Sequence, residues 1–270
     1  MSHLPSNENS AARPSPDSGR RHFDSTRMTH TIVDYRSSAL AVGAAFRRRR
    51  PGPETDLVTQ FLEDLRLPMP RGCHATIFCE PRIASGFPDL VVVIWNVAAT
   101  RRWNPERSGL LRDDIRLLHY LYLHGRGFAT HDILKSVFRR GLAASLDRLR
   151  AARLVHHRSL RYVPRPLSHA FAVRRIIAIE AKVSAWSSAL DQAFLNTWFA
   201  SDSYVLLPRS KATKHLRSVA KSRGIRICCP GDTIASKTSP LRRARPRSYV
   251  SWLFNEWAWR VSESNGELLP

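Results

Sequence analysis

The chain has 270 residues, 43% hydrophobic and 24% charged, which is long enough to bury a core and too apolar for a wholly disordered polymer. Lys and Arg number 43 against 22 Asp and Glu, a net charge of +21 whose field attracts polyanions. No run approaches the roughly 18 apolar residues of a membrane helix, and the amino terminus lacks the apolar stretch of a secretory signal, so nucleic acid rather than a membrane is the expected partner and the expected location is cytoplasmic and reducing.

The charge is unevenly spread. Residues 1–50 carry +5, 51–100 carry −3, 101–173 carry +10 and 174–270 carry +9. One short acidic stretch inside a basic protein suits a metal site that faces a polyanion. Cys73, Cys79 and the adjacent pair Cys228-Cys229 form no CxxC motif, and no histidines fall at zinc-finger spacing, which predicts free thiols.

Residues 1–51 are rich in Ser, Pro, Asn and Arg, end in Arg47-Arg48-Arg49-Arg50-Pro51, and read as a disordered basic arm. Periodicity begins at Glu54, where Leu57, Val58, Phe61, Leu62 and Leu65 form a helical stripe that ends before Pro68. His74–Phe78 is a strand candidate, and the aliphatic run from Pro88 to Trp95 predicts a buried strand. Residues 52–100 and 174–235 together read as one discontinuous core.

Residues 107–166 differ in character. Helical spacing over Leu110–Leu123 is followed by Gly125-Arg126-Gly127, a second helix capped by Thr130, and a third opened by Gly141. Two short strand signals follow, around Leu154-Val155 and Leu160–Val163, with a basic turn expected at His156-His157-Arg158. Arg139, Arg140, Arg148, Arg150, Arg153 and Arg158 surround these elements as candidate nucleic-acid contacts. Three helices and a hairpin in this order resemble a winged helix-turn-helix, and the segment is expected to be a separable basic module. The histidines at 119, 124, 131, 156 and 157 show no ligand spacing.

The strand signal returns at Arg174–Val183, then a helix from Trp186 to Ala200, a strand at 203–207, a basic helix at Lys211–Ser222 and a strand at 225–228. Residues 236–270 read as a basic linker and a final helix whose aromatics, Trp252, Trp257 and Trp259, suit packing or a partner face rather than a stacking platform.

The chemistry concentrates at two places. Side chains alternate along a strand, so Glu180 and Lys182 project from one side, one pleat apart, among apolar neighbours. Asp89 opens the aliphatic strand that precedes them. A buried charge pair in such a strand needs a partner or a task. Two carboxylates suit Mg²⁺, a hard cation that takes oxygen ligands, and a nearby lysine can orient a metal-bound water and balance phosphate charge.

Pro88-Asp89 and Glu180-Ala181-Lys182 resemble the two halves of the PD-(D/E)XK nuclease signature. The resemblance implies an α/β fold: a restriction endonuclease-like mixed central sheet flanked by helices in the order αβββαβ, here with an inserted winged-helix-like α+β module. The gap from Asp89 to Glu180 is longer than is usual for that family, and residues 107–166 fill it. A Gln in the helix after the ExK motif recurs in many members, and Gln192 stands there. An acid in the first helix recurs in resolvase-like branches, and Glu54 matches it best, ahead of Glu63 and Glu80.

The resemblance implies a Mg²⁺-dependent nuclease, with Mn²⁺ as a substitute metal, that hydrolyses DNA phosphodiesters. Asp89 and Glu180 would hold the metal, Lys182 would position the attacking water, Gln192 would support the water or a phosphate, and Glu54 would complete the shell. Two other readings share these residues: a non-catalytic DNA-binding regulator on the same scaffold, and an RNA-directed nuclease or toxin, because phosphate contacts do not distinguish the two polymers. A homodimer is compatible with all three.

Overall fold

The computed structural model describes residues 30–36, 43–123, 128–234 and 245–264. Most of the expected basic arm (1–29 and 37–42), the glycine turn with His124, and most of the expected linker (235–244) lie outside the described residues. Strand β1 (His30–Val33), helix α1 (Pro53–Glu63), strand β2 (Cys73–Cys79) and strand β3 (Leu90–Asn96) come first. Helix α1 starts as its sequence dictates. Pro53 sits in the first turn, where its missing N–H costs nothing, and Glu54 and Asp56 lie at the positive end of the helix dipole.

The inserted segment follows as α2 (Arg112–Leu123), β4 (Ala129–Thr130), α3 (His131–Val137), α4 (Leu142–Ala151), β5 (Val155–Arg158) and β6 (Arg161–Pro164). The chain then continues through β7 (Val173–Ala181), α5 (Trp186–Asn196), β8 (Asp202–Leu206), α6 (Lys214–Ser222), β9 (Ile225–Cys228) and α7 (Tyr249–Ser264).

Among the described residues the main sheet has six strands in the order β1-β2-β3-β7-β8-β9. β2, β3 and β7 pair antiparallel, whereas β1 is parallel to β2, and β8 and β9 run parallel to β7. Each parallel pair is joined by a crossover that carries a helix, as parallel geometry requires. The uninterrupted aliphatic run of β3 is buried along its length, as befits a central strand covered on both faces. On one face, Leu57, Val58 and Phe61 of α1 pack on Ile77, Val92 and Ile177. On the other, α5 and α6 cover β8 and β9, and α7 and the insert cover β2, β3 and β7. The protein is therefore a mixed α/β structure with helices on both faces of the sheet.

Three features correct or add to the sequence reading. First, β1 lies within residues 1–51, read from sequence as a disordered arm, and adds a parallel edge strand, with Thr31 and the His74 ring hydrogen-bonded at 3.0 Å. Composition hides a four-residue edge strand, because it needs only one apolar face. Second, His156, His157 and Arg158 are in a strand; the turn is Ser159-Leu160, both at positive φ (47° and 64°). Paired positive φ values match the primed turns whose twist suits a hairpin. Third, the insert shares an apolar core with the sheet. Its Leu118, Leu121, Leu146 and Leu149 belong to the same apolar cluster as Val91 and Trp95 of the sheet and Trp252 and Phe254 of α7. Helix α7 is buried from Val250 to Ser262, enclosed by apolar neighbours and, around Asn255, Glu256 and Arg260, by buried polar partners.

Within the insert, β4, β6 and β5 form a small antiparallel sheet in that order beside the three helices. Arg139, Arg140, Arg150, Arg153 and Arg158 are exposed. Arg150, Arg153 and Arg165, with His156 and His157, line a shallow concavity of about 640 Å³. Arg148 is different. Its guanidinium makes two hydrogen bonds, of 2.7 and 2.8 Å, to the fully buried Asp114 carboxylate, so this residue, expected on the basic face, ties α4 to α2. Arg148→Ala is expected to lower stability by about 1–3 kcal/mol, the cost of leaving a buried acceptor short of its donors. A denaturant titration checks this through a lower midpoint at unchanged slope; an unchanged midpoint with weaker DNA binding would return Arg148 to the basic face.

Candidate active site

Strand register builds the site. Cys79 pairs with Leu90 across β2 and β3, and Leu90 pairs with Ile179 across β3 and β7. Continuing each ladder by one residue brings Glu80, Asp89 and Glu180 side by side at the same end of three adjacent strands. Two bonds fix that row. The Glu80 N–H donates to the Asp89 carbonyl at 3.0 Å, and the Ala181 N–H donates to Asp89 Oδ2 at 2.7 Å, across 92 positions of sequence.

Burial raises the proton affinity of all three acids. Burial, reinforced by the charge of Asp89, pushes Glu180 up to about 8. Burial raises Asp89 too, opposed by the Ala181 N–H and the Lys182 charge. Glu80 is likewise raised by burial and then by Asp89, although Arg47 binds it. Carboxylates crowded together out of water hold too much negative charge for their surroundings, the electrostatic complement of a cation. Among the described residues no three His, Cys, Asp or Glu groups stand as a complete metal cage. Asp89 and Glu180 are nonetheless the kind and number of protein oxygen ligands that Mg²⁺ takes while keeping its waters.

The neighbouring side chains have defined tasks. Asn196 on α5 donates its amide to Glu180 Oε1 at 2.6 Å, which fixes the carboxylate. Lys182 leaves the end of β7 and binds Glu54 Oε2 at 2.9 Å, so the first-turn acid of α1 reaches the site from the opposite face of the sheet. Arg47 binds Glu80, and its guanidinium also lies over the Phe87 ring at 5.0 Å. Gln192 is exposed on α5 and lines a cavity with Asp89, Glu180 and Lys182.

Two cavities meet here. A groove of about 1100 Å³ runs along Arg47, Arg48, Arg49 and Arg50 past Glu54 to Asp89 and Lys182. A smaller one, about 320 Å³, lies on the Phe87, Gln192 and Leu195 side. Arg47, Asp89 and Lys182 line both.

All five sequence-derived candidates, Asp89, Glu180, Lys182, Gln192 and Glu54, therefore border this one region. Sequence reasoning missed Asn196 and Arg47, and ranked Glu80 below Glu54. Asn196 stands one helical turn beyond Gln192, a polar residue at a position the helix buries, and that mismatch was a usable signal. Glu80 carries a backbone φ of 55°, rare for a residue with a side chain. The conformation ends β2 and is invisible in sequence.

The four cysteines form no disulfide. Burial raises Cys79 to about 11, and such thiols are poor nucleophiles. Among the described residues no helix is long and apolar enough to cross a membrane. No protein-family model, curated protein or solved structure matches this chain.

Proposed function

We propose that this protein is a Mg²⁺-dependent nuclease of the PD-(D/E)XK kind that hydrolyses DNA phosphodiesters. The observation that carries the reading is the meeting of Asp89, Glu180 and Lys182 at one cavity although an inserted segment separates the two strands. The order of helix, three antiparallel strands, helix and parallel strand supports it. The insert's topology, with β4 between two helices and a hairpin behind, supports a winged-helix-like DNA-holding role.

Asp89 and Glu180 would hold the metal. Bound there, it would polarise a phosphate oxygen and lower the pKa of a water. Asn196 keeps the Glu180 carboxylate in one orientation, and the Ala181 N–H does the same for Asp89. Lys182, aimed by its bond to Glu54, would position the attacking water and place a cation beside the charge that develops on the phosphate. Mn²⁺ would serve in place of Mg²⁺.

The deciding experiment is cleavage of supercoiled, linear, single-stranded and branched DNA with Mg²⁺, Mn²⁺ or EDTA. Wild type should cut with either metal and stop with EDTA. Asp89→Ala should lose cleavage and keep, or tighten, DNA binding, since one negative charge facing phosphate is gone. A wild-type protein that cuts nothing yet binds one defined DNA site would be a regulator instead.

DNA affinity should also fall steeply with salt. Neutralising six to ten phosphates costs about 10³–10⁵ in affinity between 50 and 200 mM salt. Titrations at several salt concentrations give the slope, and a flat response would rule out a phosphate-dominated interface.

A further inference from the structure

A phosphodiester seated at Asp89 and Lys182 must continue in both directions, and the two cavities sharing these residues and Arg47 are the ways out. They differ in chemistry. The larger adds Arg48, Arg49 and Arg50, a line of cations suited to successive phosphates. Beyond the shared Arg47 and Lys182, the smaller adds no cation. It offers the Phe87 ring, one face of which carries the Arg47 guanidinium, together with the Leu195 side chain, the Gln192 amide and the Ser85 hydroxyl. A π-face, an aliphatic wall and neutral hydrogen-bonding groups are what an unstacked base uses.

Size points the same way. About 320 Å³ is at the low end for ligand pockets, and a continuing base-paired stack does not fit inside it. Leu195, which lines the cavity, is 56% exposed, a large apolar side chain that the fold leaves at the surface beside the site.

We infer that the smaller cavity receives one nucleotide turned out of its stack next to the scissile phosphate, so that the preferred substrate is DNA with an unpaired or readily flipped nucleotide at the cleavage point. The inference rests on the nuclease reading above and adds its substrate class. Extruding a base costs least where it is mismatched or already unpaired, so this geometry selects such sites.

The test compares the full-length protein on a fully paired duplex and on the same duplex carrying one unpaired nucleotide, with Mg²⁺ or Mn²⁺. Wild type should show kcat/KM at least about tenfold higher on the second. Leu195→Trp, at an exposed position, should fill the cavity and erase that preference without lowering the melting temperature. Phe87→Ala should weaken it. In parallel, Lys182→Ala is mixed with uncut DNA carrying 2-aminopurine at the unpaired position. A fluorescence change on binding that Leu195→Trp abolishes would place the base in the cavity. Equal rates on both DNAs, with Leu195→Trp harmless, would overturn the inference and leave the nuclease reading standing. No cleavage of either DNA, with a Leu195-dependent fluorescence change, would sink the nuclease reading and keep the cavity as a nucleotide site. Neither cleavage nor a fluorescence change would remove both.

Discussion

Lys182→Ala is expected to reduce DNA cleavage by about 10²–10³-fold, the usual cost of deleting a preorganised electrostatic group from a reaction centre, while leaving DNA affinity nearly unchanged. The two effects separate because they draw on different charges. Affinity comes from a field set by 43 basic residues, and removing one alters the salt slope by at most about one phosphate equivalent. Catalysis depends on one ammonium in one place. Lys182 has only 21% of its side chain exposed and is aimed by the strand end that carries Ala181 and by its bond to Glu54. Single-turnover cleavage and fluorescence anisotropy on the same DNA make the comparison. Parallel loss of cleavage and binding would make Lys182 a general phosphate contact, and retained cleavage would remove it from the site.

Glu256→Ala should be the most destabilising of the substitutions considered. Arg107, at the start of the insert, and Glu256, within α7, are each 1% exposed, and two hydrogen bonds of 3.1 and 2.5 Å join them. The Ala170 carbonyl and the Trp103 ring, 3.4 Å from the guanidinium carbon, complete the surroundings of Arg107. Asn255 donates to Glu256 at 3.0 Å, and Arg260 donates to the carbonyls of Arg107 and Leu110. Without Glu256 a cation is left in the core with no countercharge, which costs about 3–5 kcal/mol. For a chain of this size that corresponds to roughly 10 °C in melting temperature. Replacing both partners, Arg107→Met with Glu256→Leu, should recover most of the loss, because the penalty lies in the stranded charge rather than in the missing bond. A single substitution that shifts melting by a degree or two would mean that water reaches Arg107 and the cluster is not a dry core.

This cluster also joins the insert to the terminal helix. Arg107 opens the inserted segment, Glu256 belongs to the terminal helix, and both stand over the sheet that carries Asp89. Sequence separation of 149 residues hides their partnership, and each alone reads as an ordinary surface charge. The same holds for Arg148, which looked like one more cation on a basic helix until Asp114 was seen to be buried beneath it.

Much of the local architecture was open to inspection in the residues themselves. The apolar run of Leu90–Trp95 and the alternation around Glu180 and Lys182 identified buried strands, and the stripe from Leu57 to Leu65 identified a helix, because periodicity records which faces of a segment are buried. That Glu180 and Lys182 share a side follows from strand pleating alone. Which strands would be neighbours is another matter. The row Glu80, Asp89 and Glu180 exists because β3 pairs with both β2 and β7 in a particular register. Arg47 and Glu54 reach the acids only once β1 and α1 have crossed over to form a parallel edge. Hydrogen bonds between strands join whatever residues the register brings together, and the register is set by the packing of whole faces. No local pattern carries that information, so the elements could be read along the chain, whereas the partners of each charge emerged only when the chain closed on itself.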